Sequence, residues 1–294
     1  MSKFKWLIIL FFSAAVAFGA GLYFWGNDFK LSSGFQTAID SVKAINVDSV
    51  VSQIQKQVIT AAPLNIGGQS NNVTLLKSKI IEETNKQRVA NGFVALAQNA
   101  KLGDAAEAKA NDMFLNQYFE HVSPAGIDPG ALVASYGYEY IITGENLILG
   151  NFKDEADIVQ AWMESPGHRA NILNASYSEI GVAVIKGDYK GEQVWIAVQE
   201  FGLPLSACQK PDGSQKEKIE NDKNILDQLG AALDDKKIQI DNTSLSSPYY
   251  NQLIDDYNEM VRTYNSMAEN LKSSVADYNS QVKIFNDCVG GAKQ

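Results

Sequence analysis

The sequence predicts an α+β fold in which helices pack on an antiparallel sheet, with further helical segments before and after this domain. Three observations predict it. The N-terminus carries an uncharged stretch, the middle shows helical periodicities followed by two adjacent strand patterns, and the C-terminal part carries a heptad repeat. We therefore divide the chain into a transmembrane segment, a stalk with a linker, a globular domain and a helical arm. Their predicted bounds are residues 1–28, 29–72, 73–204 and 205–294.

The composition is that of a globular protein and argues against one class of partner. Hydrophobic residues make up 45% of the 294 residues and charged residues 20%, which are ordinary values for folded domains. The formal net charge is −9 and there is no basic cluster, so we expect no nucleic-acid partner. The two cysteines, Cys208 and Cys288, do not have the spacing of a zinc finger.

The uncharged N-terminal run predicts a membrane anchor over residues 6–25. A helix of this length reaches about 30 Å, the hydrocarbon thickness of a bilayer. Trp6 and Trp25 stand where aromatic residues favour the two membrane interfaces. Lysines before the run and Asp28 after it place the N-terminus inside and the rest of the chain on the extracytoplasmic side.

The same N-terminal run also allows a second interpretation, a cleaved signal peptide. Its cleavage site would need a small-x-small pattern, and Ala15-Val16-Ala17 has that form. Cleavage would release the protein as a secreted molecule, whereas the uncleaved run would anchor it. Both interpretations export the protein.

Residues 29–72 predict a stalk and a linker. Apolar residues recur at helical spacing between Phe35 and Val58, which fits either short amphipathic helices or a loosely structured spacer. Pro63 and the Gly67-Gly68-Gln69-Ser70-Asn71-Asn72 stretch indicate a linker. The globular domain should therefore begin at residue 73.

Within residues 73–204 the local patterns predict helices first and a hairpin last. Apolar residues at helical intervals, an alanine-rich stretch and a proline at a first helical turn predict the helices. Alternating apolar residues around turn chemistry predict the strands. In chain order we expect helices over 75–89, 100–118, 131–135 and 154–163, a helical turn capped by Ser165 and begun by Pro166, an extended segment over 138–149, and paired strands over 180–185 and 194–201.

Both histidines of the chain lie in distinctive motifs. His121 lies in Phe119-Glu120-His121-Val122-Ser123-Pro124, and His168 lies in a Trp-x-x-Ser-x-x-His-Arg-x-Asn-Ile block that begins at Trp162. Between them stands Gly144-Glu145-Asn146. In order and spacing these blocks resemble the CAP superfamily (cysteine-rich secretory proteins, antigen 5 and pathogenesis-related proteins), and most of all its bacterial SCP-like extracellular domains. The resemblance covers roughly residues 73–203 and implies a three-layer α-β-α sandwich.

The resemblance implies that His121, Glu145 and His168 line one cleft, with Glu164 and Asn146 as further candidates. Glu164 departs from the family pattern, because it follows the aromatic Trp162 by two positions where the family's second acid follows by three. Two imidazoles and a carboxylate are enough for a zinc site with one open position, so His121 and His168 are candidate metal ligands. Some family members bind zinc in this cleft.

Three hypotheses for function follow. In the first, the cleft belongs to a non-catalytic module that binds a lipid-like, glycan or peptide ligand, since the resemblance implies sterol or fatty-acid binding and, for most members, no accepted enzymatic activity. In the second, zinc in the cleft activates water in a hydrolase. In the third, the protein acts in adhesion or as a scaffold through its C-terminal arm.

The C-terminal arm shows a heptad repeat that predicts a coiled-coil seam. The partner helix is expected within Lys216–Lys237, although the seam could also close between chains. A bend near Pro248 would place Cys208 and Cys288 side by side, which favours a disulfide over free thiols or pairing between chains. The seam residues are Tyr250, Ile254, Tyr257, Val261, Tyr264, Ala268, Leu271, Val275, Tyr278, Val282 and Phe285, facing Ile219, Leu226, Leu229 and Leu233.

Overall fold

The computed structural model describes residues 56–68 and 73–291, and its centre is one mixed six-stranded sheet. Three long central strands pair antiparallel in the order β4-β6-β5. Short strands run parallel to them at both edges: β1 and β2 follow one another along the free edge of β4, and β3 pairs with β5. The strands are β1 (Gln57–Thr60), β2 (Leu64–Gly67), β3 (Ala97–Gln98), β4 (Tyr140–Gly150), β5 (Glu179–Tyr189) and β6 (Glu192–Pro204).

The predicted α+β class is confirmed, but the prediction of an antiparallel sheet was wrong at the edges. The hairpin of β5 and β6 forms as expected from its turn residues. The parallel edge strands were missed because each lies far from its partner in the chain. Parallel pairs need long crossover connections, and no local pattern announces them.

Helices cover both faces of the sheet. The first, fourth and fifth helices pack on one face, where alternate residues of the strands form a large apolar core. The second helix packs its alanine stripe closely against the opposite face. The helices are α1 (Lys77–Ala90), α2 (Ala100–Asn116), α3 (Pro129–Ser135), α4 (Glu155–Glu164), α5 (Pro166–Ile172), α6 (Gly213–Asp241) and α7 (Tyr250–Gly291).

The predicted boundary at residue 73 was wrong. Residues 57–67 had been assigned to the stalk and linker, yet they form β1 and β2 and belong to the sheet. The β-branched run Val58-Ile59-Thr60 explains this, because such side chains favour extended backbone. Pro63 then keeps the preceding residue extended and so supports a strand pair rather than a linker.

The predicted membrane anchor at residues 6–25 lies outside the described residues, as does the stalk up to residue 55. Within residues 56–68 and 73–291, no helix combines the length and the apolar character that crossing a bilayer requires.

The C-terminal arm is a pair of long helices that turns back on itself. α6 and α7 pack along their lengths, and the turn between them, residues 242–249, contains Pro248. Contacts of Gln215 with Gln281 near the base and of Lys236 with Asp256 near the turn give an antiparallel pair. The buried seam residues are Ile219, Leu226, Leu233 and Ile240 of α6 and Tyr257, Tyr264, Ala268, Leu271, Val275, Tyr278 and Val282 of α7.

A disulfide between Cys208 and Cys288 closes the base of the arm, as predicted. Cys208 is buried in the apolar core of the globular domain, together with Phe285 and Val289 from the end of α7. The last two turns of the arm therefore belong to the domain's core, and the arm is attached by packing as well as by a covalent bond.

Candidate functional site

His121 and Glu145 meet at the edge of the sheet. Glu145 lies in the middle of β4, and His121 lies in the bend that follows α2. His121 Nδ1 is 2.6 Å from Glu145 Oε1, and its other ring nitrogen, Nε2, contacts the main-chain carbonyl oxygen of Ala61. The imidazole therefore bridges a buried acid and the segment that joins β1 to β2.

The two contacts of His121 restrict where its protons lie. A carbonyl oxygen can only accept, so Nε2 must carry a hydrogen and donate it to Ala61. Nδ1 then shares one further proton with Glu145: it donates to an ionised carboxylate or accepts from a protonated one. In either state both nitrogens of the ring are engaged.

Lys109 and Glu200 complete this cluster on the same face of the sheet. Glu200 of β6 stands directly opposite Glu145 in the antiparallel register, and neither side chain reaches solvent. Lys109 of α2 is also buried, and its Nζ donates to the main-chain carbonyl of His121 at 2.6 Å. We call His121, Glu145, Glu200 and Lys109 the ionisable cluster.

Burial determines the electrostatics of the ionisable cluster. Loss of hydration raises the pKa of Glu200 well above its ordinary value, and the negative charge of Glu145 raises it further while Lys109 opposes the shift. Loss of hydration lowers the pKa of Lys109, against the attraction of Glu145 and Glu200. Two adjacent buried carboxyl groups favour a proton held between them, and Glu200 is the one whose pKa is raised.

His168 lies in the first turn of α5, and its side chain turns to Ser165 rather than to Glu145. Nδ1 of His168 is 2.8 Å from Ser165 Oγ. Ser165 stands at the predicted N-cap position, but its hydroxyl caps no main-chain N–H of α5. The hydroxyl is instead hydrogen-bonded to the imidazole of His168. Burial and, to a smaller extent, the nearby His121 lower the pKa of His168 to about 4, while the main chain at Leu147 acts in the opposite sense.

Asn146 faces the opposite side of the sheet from Glu145, because successive residues of a strand alternate between faces. Its amide donates to the main-chain oxygen of His168 at 3.2 Å and to Gln199 Oε1 at 3.1 Å. Asn171 donates to Asn146 Oδ1 at 3.0 Å, and Gln199 donates to Thr84 Oγ1 at 2.7 Å. We call Asn146, Asn171, Gln199 and Thr84 the amide cluster; it ties α1 and α5 to the sheet.

The predicted set of cleft residues is thus divided by the strand. Glu145 joins His121 on one face, whereas Asn146 is fully buried in a structural network and presents no group to a ligand. Glu164 ends α4, is exposed, and accepts a hydrogen bond from Gln160. It makes no hydrogen bond or ion pair with either histidine, because Pro166 starts a new helix and separates it from His168.

The predicted cleft between the two histidines is closed to solvent. Glu145 is 0% exposed and His168 is 1% exposed, while the side chain of His121 retains 13%. Residues 56–68 lie across this edge of the sheet, and we call them the cover segment. The surface hollows along α1 and α4 do not reach the histidines. The cover segment, which was predicted to lie outside the domain, therefore fills the space between the His121 and His168 motifs.

The side chains as placed do not fit a zinc ion. Zinc ligation needs an imidazole nitrogen with a free lone pair, and both nitrogens of His121 are already engaged. His168 Nδ1 lies against Ser165 Oγ, and its Nε2 is buried without a hydrogen-bond partner among the described residues. One free imidazole nitrogen is left in the pair, so the two histidines do not supply two ligands together. Among the described residues, no three or more His, Cys, Asp or Glu side chains are grouped to hold a metal ion.

Lys109 and Glu200 were not among the predicted site residues, although each has an unusual position in the sequence. Lys109 occupies an inward position on the apolar stripe of α2, between Ala106 and Met113, where a charge is unusual. Glu200 places a charged side chain within a run of buried strand residues. Either charge could have been marked as buried, but only the register of β4 with β6 brings Glu200 to Glu145.

Comparison with known proteins identifies the globular part. Residues 81–201 match the model of the cysteine-rich secretory protein family, CAP. The chain contains a CAP domain. The matched range includes both histidine motifs, Glu145 and the central strands, while β1, β2 and the arm lie outside it.

Two curated relatives come from Bacillus subtilis (strain 168). The uncharacterized protein YkwD is 37% identical over 116 residues, which are 40% of this chain and 45% of that protein. The uncharacterized membrane protein YlbC is 26% identical over 161 residues, 53% of this chain and 46% of that protein. The chain thus spans less than half the length of either relative.

Among solved structures, an extracellular protein containing a SCP domain from Bacillus anthracis str. Ames is 28% identical. The match covers 43% of this chain and 39% of that one, with a TM-score of 0.37.

Proposed function

We propose that the protein is an extracytoplasmic, non-catalytic ligand-binding module whose CAP domain binds its ligand at the edge of β4 beside His121. One observation carries the proposal: His121 is held by Glu145 and donates its Nε2 hydrogen to a main-chain carbonyl oxygen. The histidine is thereby oriented as a hydrogen-bond donor, not as a metal ligand or a base next to a nucleophile, and a ligand that displaces the Ala61 carbonyl would take over that hydrogen bond.

The extracytoplasmic location is supported by three independent features. The Cys208–Cys288 disulfide requires an oxidising environment to form and persist. The run over residues 6–25, with lysines before it, has the length and flanks of an anchor that exports the chain. The relative YlbC is called a membrane protein. We therefore propose a single N-terminal anchor, with the CAP domain and the arm outside.

The arm is not needed to explain binding, because its apolar seam is closed within the chain. Its buried residues face one another between α6 and α7, and its base is packed in the domain. We therefore place recognition on the CAP domain and assign the arm a structural role.

A zinc titration of the purified full chain tests this function against the metal-dependent hydrolase. We expect no zinc binding tighter than about millimolar, since neither nitrogen of His121 is free. Isothermal titration calorimetry measures it on the wild type and on His121→Ala and His168→Ala. Glu164→Gln is the matched control, because Glu164 is exposed and accepts its hydrogen bond from the neighbouring Gln160.

The hydrolase would replace the proposed function if the wild type and Glu164→Gln bound zinc in the micromolar range while both histidine variants lost it. Zinc binding that is equal in all four proteins would arise elsewhere on the chain and would leave the proposed function in place.

A further inference from the structure

The cover segment is held to the CAP domain largely through its main chain. β1 pairs in parallel with residues 142–145 of β4, so that Thr60 stands opposite Glu145. Just beyond β1, the carbonyl oxygen of Ala61 accepts from His121 Nε2, and that of Ile59 accepts from Asn171 Nδ2 at 3.4 Å. Main-chain contacts of this kind would be made by any extended polypeptide in the same place.

Side-chain contacts of the cover segment are few and have a simple pattern. Ala61 is its one buried residue, and a Cβ added at Gly167 would lie 2.9 Å from the Ala61 methyl carbon. Ile59 and Leu64 are half-buried against the main apolar core. The site therefore selects an apolar residue, a small residue two positions later and an apolar residue three positions after that.

The cover segment is also lightly attached. All of its residues except Ala61 keep contact with solvent, and its two strands have only four residues each. Burial of apolar surface is the main stabilising term in such an attachment, and here it amounts to the Ala61 methyl group and three partly buried side chains, those of Ile59, Pro63 and Leu64. An edge pairing of this size can be exchanged for another without unfolding the central strands.

Removal of the cover segment would leave β4 with unpaired main-chain groups at a sheet edge. Such donors and acceptors require partners, and a second extended chain supplies them in register. An acyl chain has no groups to offer, and a glycan lacks the regular spacing of peptide groups. The edge of β4 therefore fits a polypeptide better than the two other ligand classes that the family resemblance implies.

We infer that the ligand of this site is an extended polypeptide that pairs in parallel with β4 where the cover segment now lies, with a small residue against Gly167 and that residue's carbonyl on His121. The cover segment is then an internal copy of the ligand. This inference rests on the proposed binding function and names its ligand class.

The test uses the full chain and a fluorescein-labelled synthetic peptide with the sequence of residues 56–68. Ala61→Arg opens the site, because an arginine side chain has no room against Gly167. We expect the peptide to bind this variant at least about tenfold more tightly than the wild type, since the internal copy no longer competes. Fluorescence anisotropy measures the affinity, and hydrogen–deuterium exchange checks that residues 56–68 are released while α2 and β6 stay protected.

Two controls define the site. The same peptide carrying the Ala61→Arg change should lose binding to the opened variant, and adding His121→Ala to that variant should weaken binding of the unchanged peptide. A second measurement needs no opened variant: rising concentrations of the peptide should increase exchange of residues 56–68 in the wild type.

The inference is overturned if Ala61→Arg leaves residues 56–68 protected, or releases them without gaining affinity for the peptide. If the opened variant fails to fold, an unchanged exchange of the wild type at saturating peptide overturns it. Palmitate and a soluble peptidoglycan fragment serve as the alternative probes. Binding of either one, with none of the peptide, would overturn the polypeptide assignment while the proposed binding function stood.

Discussion

The two polar clusters on opposite faces of β4 solve the problem of burial in different ways. In the amide cluster, Asn146, Asn171, Gln199 and Thr84 exchange hydrogen bonds with one another and with main-chain groups. In the ionisable cluster, one oxygen of Glu145 and both oxygens of Glu200 are buried without a donor group among the described residues. A proton on one of the two carboxyl groups would supply a donor for the other.

The difference teaches that neighbouring residues of one strand serve different purposes. The amide cluster is satisfied by the fold itself, so it fixes the position of α5 against the sheet. The ionisable cluster depends on the protonation of Glu200 and, through His121, on the carbonyl group of the cover segment. Stability should therefore respond to truncation on one face and to pH on the other.

The largest effect is expected from Asn146→Leu, which removes the centre of the amide cluster. It leaves Gln199 Oε1 and the carbonyl oxygen of His168 without their hydrogen-bond donor. Each buried acceptor that loses its donor lowers the free energy of unfolding by about 1–3 kcal/mol. We expect the free energy of unfolding to fall by about 4 kcal/mol in urea denaturation at pH 7. Asn116→Ala, which removes an exposed bond to Asp112, should change it by less than about 0.5 kcal/mol.

A loss below about 1 kcal/mol for Asn146→Leu, or an equal loss for both asparagine variants, would show that the amide cluster does not hold the fold.

The next effect is a pH dependence removed by Glu200→Gln. The pKa of Glu200 is raised above 4.5 in the folded protein, so the unfolded chain releases its proton first as the pH rises. The wild type thus loses stability above about pH 4.5, by up to about 1.4 kcal/mol per pH unit until the folded carboxyl ionises. Relative to the wild type, the variant should become steadily more stable in urea denaturation as the pH rises above about 4.5. Glu164→Gln is the matched exposed control and should run parallel to the wild type.

A pH dependence of the opposite sign is expected from His168→Gln. The pKa of His168 is lowered from 6.5 to about 4, so the unfolded chain takes up a proton as the pH falls below 6.5 while the folded protein stays neutral. The wild type loses this stability between pH 6.5 and about 4, and the variant should not. Its free energy of unfolding relative to the wild type should therefore rise as the pH falls.

The Glu200 and His168 variants check one another in a single series of denaturation curves. Slopes of the same sign for both would mean that the proton balance of at least one face had been assigned wrongly. At neutral pH the His168 variant should show only the small loss of its contact with Ser165.

The arm could be predicted closely because its information is local. Residues seven apart, from Tyr257 to Phe285, specify one apolar stripe whatever the rest of the chain does. The same rule extended α6 beyond the predicted partner range, since Ile240 continues the spacing of Leu226 and Leu233. Pro248 and the two cysteines then fixed the turn and the base.

The site could be predicted only in part because its information is non-local. The family motifs predicted that His121 lies near Glu145, and the two side chains are in contact. Side chains alternate between the two faces of β4, however, so Asn146 lies on the other face. Glu145 lies opposite Glu200 because of the register between β4 and β6, and a single sequence does not specify that register. The cover segment was missed because a four-residue parallel strand is too short to give a period.

The disulfide at the base makes the arm a closed loop whose far end is the turn at residues 242–249. Leu245 and Tyr249 are 75% and 72% exposed there, and exposed turns are where proteases cut. A cut at this turn would leave two fragments joined by the Cys208–Cys288 bond and by the helical seam, so the molecule would keep its outline. The break would become visible only as two bands after reduction.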